Sequence, residues 1–284
     1  MAGADGGLRI VQGVPAQALA LPPAIGDGDM VLANVFVSGE TRRLTDDSIF
    51  PVDASLPPAY SAVTPVAERL LPKTLAKLRD GRPVTIVAFG DSVTCGGGVG
   101  ADKSQWYQYQ FEALLQARFP QSKIAMLTAG WGGASSKRYL ESPRGSEHDF
   151  VRDVIEPKPD LVTIEFVNDA YLDEAGTAAH YAGIVDQLLQ NGSEVILITP
   201  HLVRPNWMQV QSMRFDEDLR PYVRGLRAFG AARGIAVADA SAEWRRLWRR
   251  GIPYITLLAN AINHPDVRGH KLFARVLLNL FPEK

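Results

Sequence analysis

Ser92 stands in the run Gly90-Asp91-Ser92-Val93, directly behind the apolar stretch Val84 to Phe89. A serine hydroxyl is a weak nucleophile and reacts only with a base beside it and N–H donors ready for the oxyanion that forms. Gly90 permits a sharp exit from a strand, and Gly96-Gly97-Gly98 keeps the next loop open. The plainer alternative is a serine that caps a turn. Of the five histidines, His264 is the natural base, because a neutral imidazole near pH 7 takes a hydroxyl proton and returns it to a leaving group. His201 follows an apolar run and is the rival base; His270 falls within a helical pattern and is expected to pack. His148 and His180 lie in polar or helical stretches.

Oxyanion donors have two sources. Gly130, Gly132 and Gly133 flank Trp131, and glycine lets a backbone N–H come close to a substrate. Asn168, in Asn168-Asp169, offers a side-chain amide. Taken alone, the glycines read more readily as a tight turn, and Asn168 as readily as a cap or Asx-turn. Trp131 is the candidate for a substrate-facing aromatic. Asp91 reads as structural, a carboxylate that binds loop N–H groups beside the nucleophile. Glu165 sits in a buried-type strand and needs a partner. Cys95 has no base near it in sequence and reads as a packed thiol.

These clusters need a frame that brings them together. From Val66 onward helical and strand patterns alternate. The expected strands are 84–89, 123–128, 160–166, 194–199 and 235–238. The expected helices are 66–80, 104–119, 173–191, 214–233, 240–250 and 266–280, with Ser104 a candidate N-cap and Gly81 a C-cap. Continuous apolar strands between helices predict a flavodoxin-like three-layer α/β/α fold on a five-stranded parallel sheet. Ligand sites in such sheets lie at the carboxyl ends of the strands, and Ser92, Gly130 to Gly133 and Asn168 all follow strands. Residues 1–72 are rich in Pro and Gly, with one strand signal at 30–37 and breaks at Pro22-Pro23, Pro57-Pro58 and Pro65. They predict a β-containing extension or small subdomain before a main domain at 73–284.

Composition narrows the function classes. The 284 residues carry 30 Lys and Arg against 31 Asp and Glu, so no field of one sign favours nucleic acid or an anionic membrane. One cysteine allows no internal disulfide. The histidines lack metal-ligand spacing, and the glycine-rich run lacks the lysine of a phosphate loop. No metal or cofactor is expected. The start shows no signal-peptide pattern, which makes a cytoplasmic location the default expectation, with secretion open if a leader precedes it. The sequence is silent on oligomeric state.

In this order the clusters resemble the SGNH (GDSL-type) hydrolase superfamily over roughly 82–280. The carriers are Ile86 to Thr94 around Gly90-Asp91-Ser92, the block Ala129 to Ser136, Asn168-Asp169, and Asn263-His264-Pro265-Asp266-Val267-Arg268-Gly269-His270. The resemblance implies Ser92 as nucleophile, His264 as base, and an oxyanion hole from the N–H groups of Ser92 and Gly133 with the Asn168 amide. It implies hydrolysis of short-chain esters, often acetyl groups on carbohydrate. Three family positions differ: Thr128 stands where an asparagine often opens the glycine block, Phe166 replaces a glycine, and Ala261 stands where an aspartate usually lies three residues before the histidine. Three readings follow from Ala261. A backbone carbonyl supports the ring in a Ser-His dyad, the reading preferred here; Asn260, Asn263 or Asp266 takes the role; or the protein is a weak or non-hydrolytic member. An acyltransferase with the same site, or a carbohydrate-binding protein on the same fold, are the alternative functions.

Overall fold

The chain begins with little regular structure. Strand β1 (Ala33–Val35) pairs antiparallel with β2 (Ile49–Pro51), so the expected eight-residue strand is reduced to three paired positions. Among the described residues before Val66, Phe50 alone is buried. The part therefore has no core of its own there and holds by docking. The Asn34 amide donates to the Gly251 carbonyl, the Asp53 N–H donates to the Arg249 carbonyl at 2.8 Å, and the Ser212 hydroxyl donates to Asp47. The computed structural model describes residues 1–3, 5–16, 20–56 and 64–283, and the expected break at Pro57-Pro58 lies outside them.

The single helix expected at 66–80 is two, α1 (Ala67–Leu70) and α2 (Pro72–Arg79). Pro72 has no N–H to continue a helix and disfavours helical backbone at Leu71 before it, yet it suits the first position of a new one. Strands β3 (Val84–Gly90), β4 (Ile124–Gly130), β5 (Leu161–Glu165), β6 (Glu194–Ile198) and β7 (Ala236–Ala238) form one parallel sheet in the order β4-β3-β5-β6-β7. That is the doubly wound order whose direction reverses between β3 and β5, and it opens a crevice at their carboxyl ends.

Helices α3 (Tyr107–Arg118), α4 (Ser136–Leu140), α5 (Glu174–Gln190), α6 (Pro221–Arg233), α7 (Ala240–Arg245) and α8 (Val267–Leu278) complete the layers. Alternate strand residues serve opposite faces. Ile86, Ala88, Ile196 and Ile198 pack with Leu75, Phe111, Trp244 and Phe273. Val87, Phe89, Ile164 and Leu197 pack with Tyr181, Ile184, Tyr222 and Leu226 on the other side. Helix α6 starts seven residues later than expected. Buried Asp218 accepts from Arg220 and from the Ser241 hydroxyl, which ties the preceding chain down, and Pro221 opens the helix. Ser104 is not the cap of α3. It sits in a short 3-10 turn capped by Asp102, and Trp106 precedes the helix. No helix among the described residues is long and apolar enough to cross a membrane.

Candidate active site

The clusters meet at the carboxyl edge of β3, β4 and β5. Ser92 leaves β3 in a turn, and His264 lies in the loop before α8. They are 172 residues apart in sequence, and His264 Nε2 is 3.0 Å from Ser92 Oγ. The Gly96-Gly97-Gly98 run makes this approach possible. A Cβ on Gly97 would stand 3.1 Å from the imidazole, and one on Gly98 would stand 2.4 Å from the Pro265 carbonyl. Gly97 N–H also donates to the Ser92 carbonyl at 2.7 Å, closing the nucleophile turn.

Asp91 is the clamp expected of it. One carboxylate oxygen accepts from Val93 N–H at 3.1 Å, the other from Asn168 N–H at 3.0 Å. It thus ties the nucleophile turn to the chain after β5. Burial, with Asp169 nearby, pushes its carboxyl up to about 7, against the pull of the N–H donors of Asn168, Val93 and Val167. The Asn168 amide donates to the Ala134 carbonyl at 3.2 Å and so joins the glycine block. Gly133 has φ +74°, which only glycine adopts without strain, and nothing lies within 4 Å of where a Cβ would be. The space in front of the block is open.

Asp169 is a second clamp, with a role that the sequence did not reveal. It accepts from Ser136 N–H at 2.9 Å, from the Ser136 hydroxyl, and from the Tyr181 hydroxyl at 2.9 Å. His180 Nε2 lies 2.7 Å from Ser136 Oγ. Ser136, His180 and Asp169 are triad residue types, but Ser136 is fully buried and donates straight to the carboxylate. They tie the start of α4 to the chain after β5, and with it the spacing of Gly133 from Asn168.

His201, the rival base, does not face Ser92. It is fully buried, its Nε2 lies 2.8 Å from the Asn263 carbonyl, and burial lowers it to about 3. A neutral ring donating to that carbonyl braces the loop that carries His264. His270 is structural: its Nδ1 accepts from Tyr107 N–H at 3.0 Å and its Nε2 meets the Gly97 carbonyl. Burial also lowers His264, which keeps it neutral below the ordinary histidine range.

Three expectations change. Among the described residues no backbone carbonyl bonds to His264 Nδ1; the group there is the amide nitrogen of Asn260, one of the named alternatives, 3.2 Å away. The Asn263 side chain does not meet the ring. Its Oδ1 accepts from Asn260, because a side chain adjacent to His264 projects to the other side of the turn. Trp131 is stacked on His148 at 4.3 Å and carries the Arg138 guanidinium over its ring, so these contacts occupy much of the aromatic surface offered to a substrate. Asp266 is spent on capping α8 and holding Arg268. Cys95 is a thiol pushed up by burial. No group of three or more His, Cys, Asp or Glu among the described residues is placed to hold a metal ion.

Glu165 ends β5 fully buried, and neither carboxylate oxygen has a hydrogen-bond partner. Burial, then the charges of Asp91 and Asp169, raise it well above the usual carboxylate range, so it is held as the neutral acid. A raised carboxyl favours the fold below the unfolded value and costs stability as pH climbs above it. Glu165→Gln is therefore expected to melt with the parent protein near pH 4 and above it at pH 8. A gap that failed to widen with pH in paired thermal melts would contradict this.

The sequence profile of the GDSL-like lipase/acylhydrolase family matches residues 88–272, and the chain belongs to that family. Among solved structures it is similar to a two-domain esterase active on acetylated mannans, with 20% identity and a TM-score of 0.59, covering 77% of this chain and 53% of that one. The chain thus spans about half the length of that protein. It is also similar to an acetyl xylan esterase from Geobacillus stearothermophilus, with 22% identity, a TM-score of 0.53, and coverage of 71% and 95%. A third is the acetyl xylan esterase AlAXEase, with 18% identity, a TM-score of 0.54, and coverage of 69% and 98%. At these identities the likeness shows the fold. No curated protein matches the chain.

Proposed function

We propose that this protein is a serine esterase that removes short acyl groups, acetyl above all, from carbohydrate. The observation that carries the reading is the 3.0 Å approach of His264 Nε2 to Ser92 Oγ at the crevice of the sheet. Ser92 Oγ attacks the ester carbonyl and gives its proton to His264. The oxyanion is met by the N–H groups of Ser92 and Gly133 and the amide of Asn168. His264 returns the proton to the departing sugar alcohol. Water then attacks the acyl-enzyme by the same route in reverse and releases the acid. An open rim supports a small acyl group on a bulky polar alcohol, and the substrates of the structural neighbours, acetylated mannans and acetyl xylan, are of that class.

The test is covalent. A fluorophosphonate is expected to label Ser92, and the protein to release acetate from acetylated manno- or xylo-oligosaccharides. Aryl acetates should turn over faster than aryl esters of long-chain acids. Folded protein that takes no label and releases no acetate would overturn the reading.

A further inference from the structure

The polar group that faces His264 Nδ1 is a donor. Asn260 Oδ1 accepts three backbone N–H groups, those of Ile262 at 3.0 Å, Asn263 at 2.9 Å and His264 at 3.0 Å. This settles which end of the amide is oxygen, because an amide turned over would point its NH2 at three donors. The nitrogen end has two hydrogens. One goes to Asn263 Oδ1 at 3.0 Å, and the other points at His264 Nδ1 at 3.2 Å. That contact is a hydrogen bond only with Nδ1 as acceptor, which is the tautomer with its proton on Nε2, facing Ser92 Oγ at 3.0 Å.

A general base needs the opposite arrangement. Nε2 must offer its lone pair to the serine proton, so the ring's own proton must be on Nδ1. The imidazolium formed on proton transfer carries hydrogens on both nitrogens, and its Nδ1–H then confronts an amide N–H. From this geometry we infer that Asn260 is a positioning residue. It favours the form of His264 that must first move its proton from Nε2 to Nδ1 before it can take the Ser92 proton, and so sets the esterase rate far below what the same frame can deliver. The inference rests on the Ser92–His264 reading above. No other side chain among the described residues relieves the conflict. His201 and His270 are spent on the Asn263 and Gly97 carbonyls, and Asp266 is held by Arg268. Ala261, at φ +53°, is the strained residue of the turn that Asn260 closes.

Asn260→Asp in the full chain is the test. One carboxylate oxygen keeps the three N–H groups, the other replaces the amide nitrogen beside Nδ1, and Asn263 turns its amide over to donate. A serine triad loses about 10⁴-fold in kcat when the tautomer is wrong, so Asn260→Asp is expected to raise kcat for an aryl acetate at least ~10-fold with KM within about twofold. Two-bond proton–nitrogen spectra of histidine-labelled protein are expected to place the ring proton of His264 on Nε2 in the parent chain and on Nδ1 in the variant. A purely structural role for Asn260 would move neither reading. Parent protein with the proton on Nδ1 would overturn the inference, whether or not the variant folds. So would a folded variant whose kcat does not rise while fluorophosphonate still labels Ser92. Absence of label in both proteins would instead sink the esterase reading itself, and this inference with it.

Discussion

Ser92→Ala is expected to lower kcat for an aryl acetate by about 10⁴-fold or more, to the residual rate that binding and the oxyanion donors alone provide. Alanine removes one hydroxyl and its contact with His264 Nε2, and that hydroxyl has no other hydrogen-bond partner among the described residues. Ser92 is half-buried rather than packed in the core. The melting temperature should therefore change little, and fluorophosphonate labelling should disappear. Steady-state kinetics on protein whose melt matches the parent decides the matter. Retained turnover would show that Ser92 is not the nucleophile, and the clamp of Asp91 would then need another purpose. The parent's rate is the reference, and the Asn260 amide holds that reference down. The measured loss is thus expected to be smaller in the parent background than in Asn260→Asp, where the ring is free to act. The comparison separates what the nucleophile contributes from what the base contributes.

Asp169→Ala is expected to cost about 3–5 kcal/mol of stability. It would leave the Ser136 N–H, the Ser136 hydroxyl and the Tyr181 hydroxyl, all buried, without their acceptor. Each orphaned group costs about 1–3 kcal/mol, and the losses partly overlap because neighbouring dipoles turn to each other. Tyr181 is already bonded to Tyr222, which offers one such outlet. In a chain of this length roughly 2 °C is lost per kcal/mol, so melts should fall by roughly 6–10 °C. Activity should fall as well, because the start of α4 would no longer be tied to the chain that carries Asn168. A melt within a degree or two of the parent would show that the cluster is not a clamp. Ser136→Ala removes one donor and keeps the carboxylate's other partners, so its expected loss is smaller, about 1 kcal/mol.

Much of the frame was legible before any coordinates. Strand runs such as Val84 to Phe89 are apolar throughout because both faces of a parallel sheet are covered, and that demand is written residue by residue. Ser92, the glycine block and Asn168 each sit just past the end of a strand and His264 just before the last helix, so local pattern alone put them at one edge. Asp91 could be read as a clamp because its partner Val93 is two residues away. Pro72 was visible too, but its power to split a helix was outweighed by the run of leucines around it.

The partners of the functional groups were not legible, because they depend on contacts with no local signature. That Asn260 rather than a carbonyl faces His264, that His201 braces the base instead of being it, and that Asp169 binds Ser136 across 33 residues follow from how loops from different strands come to rest together. Hydrophobic periodicity reports which side of an element is buried; it carries no information on the direction in which a polar side chain in a turn points. Ser92 and its base were therefore recognisable as residue types in sequence. The group that faces His264 Nδ1 is decided by one amide whose orientation three backbone N–H groups impose in the folded turn.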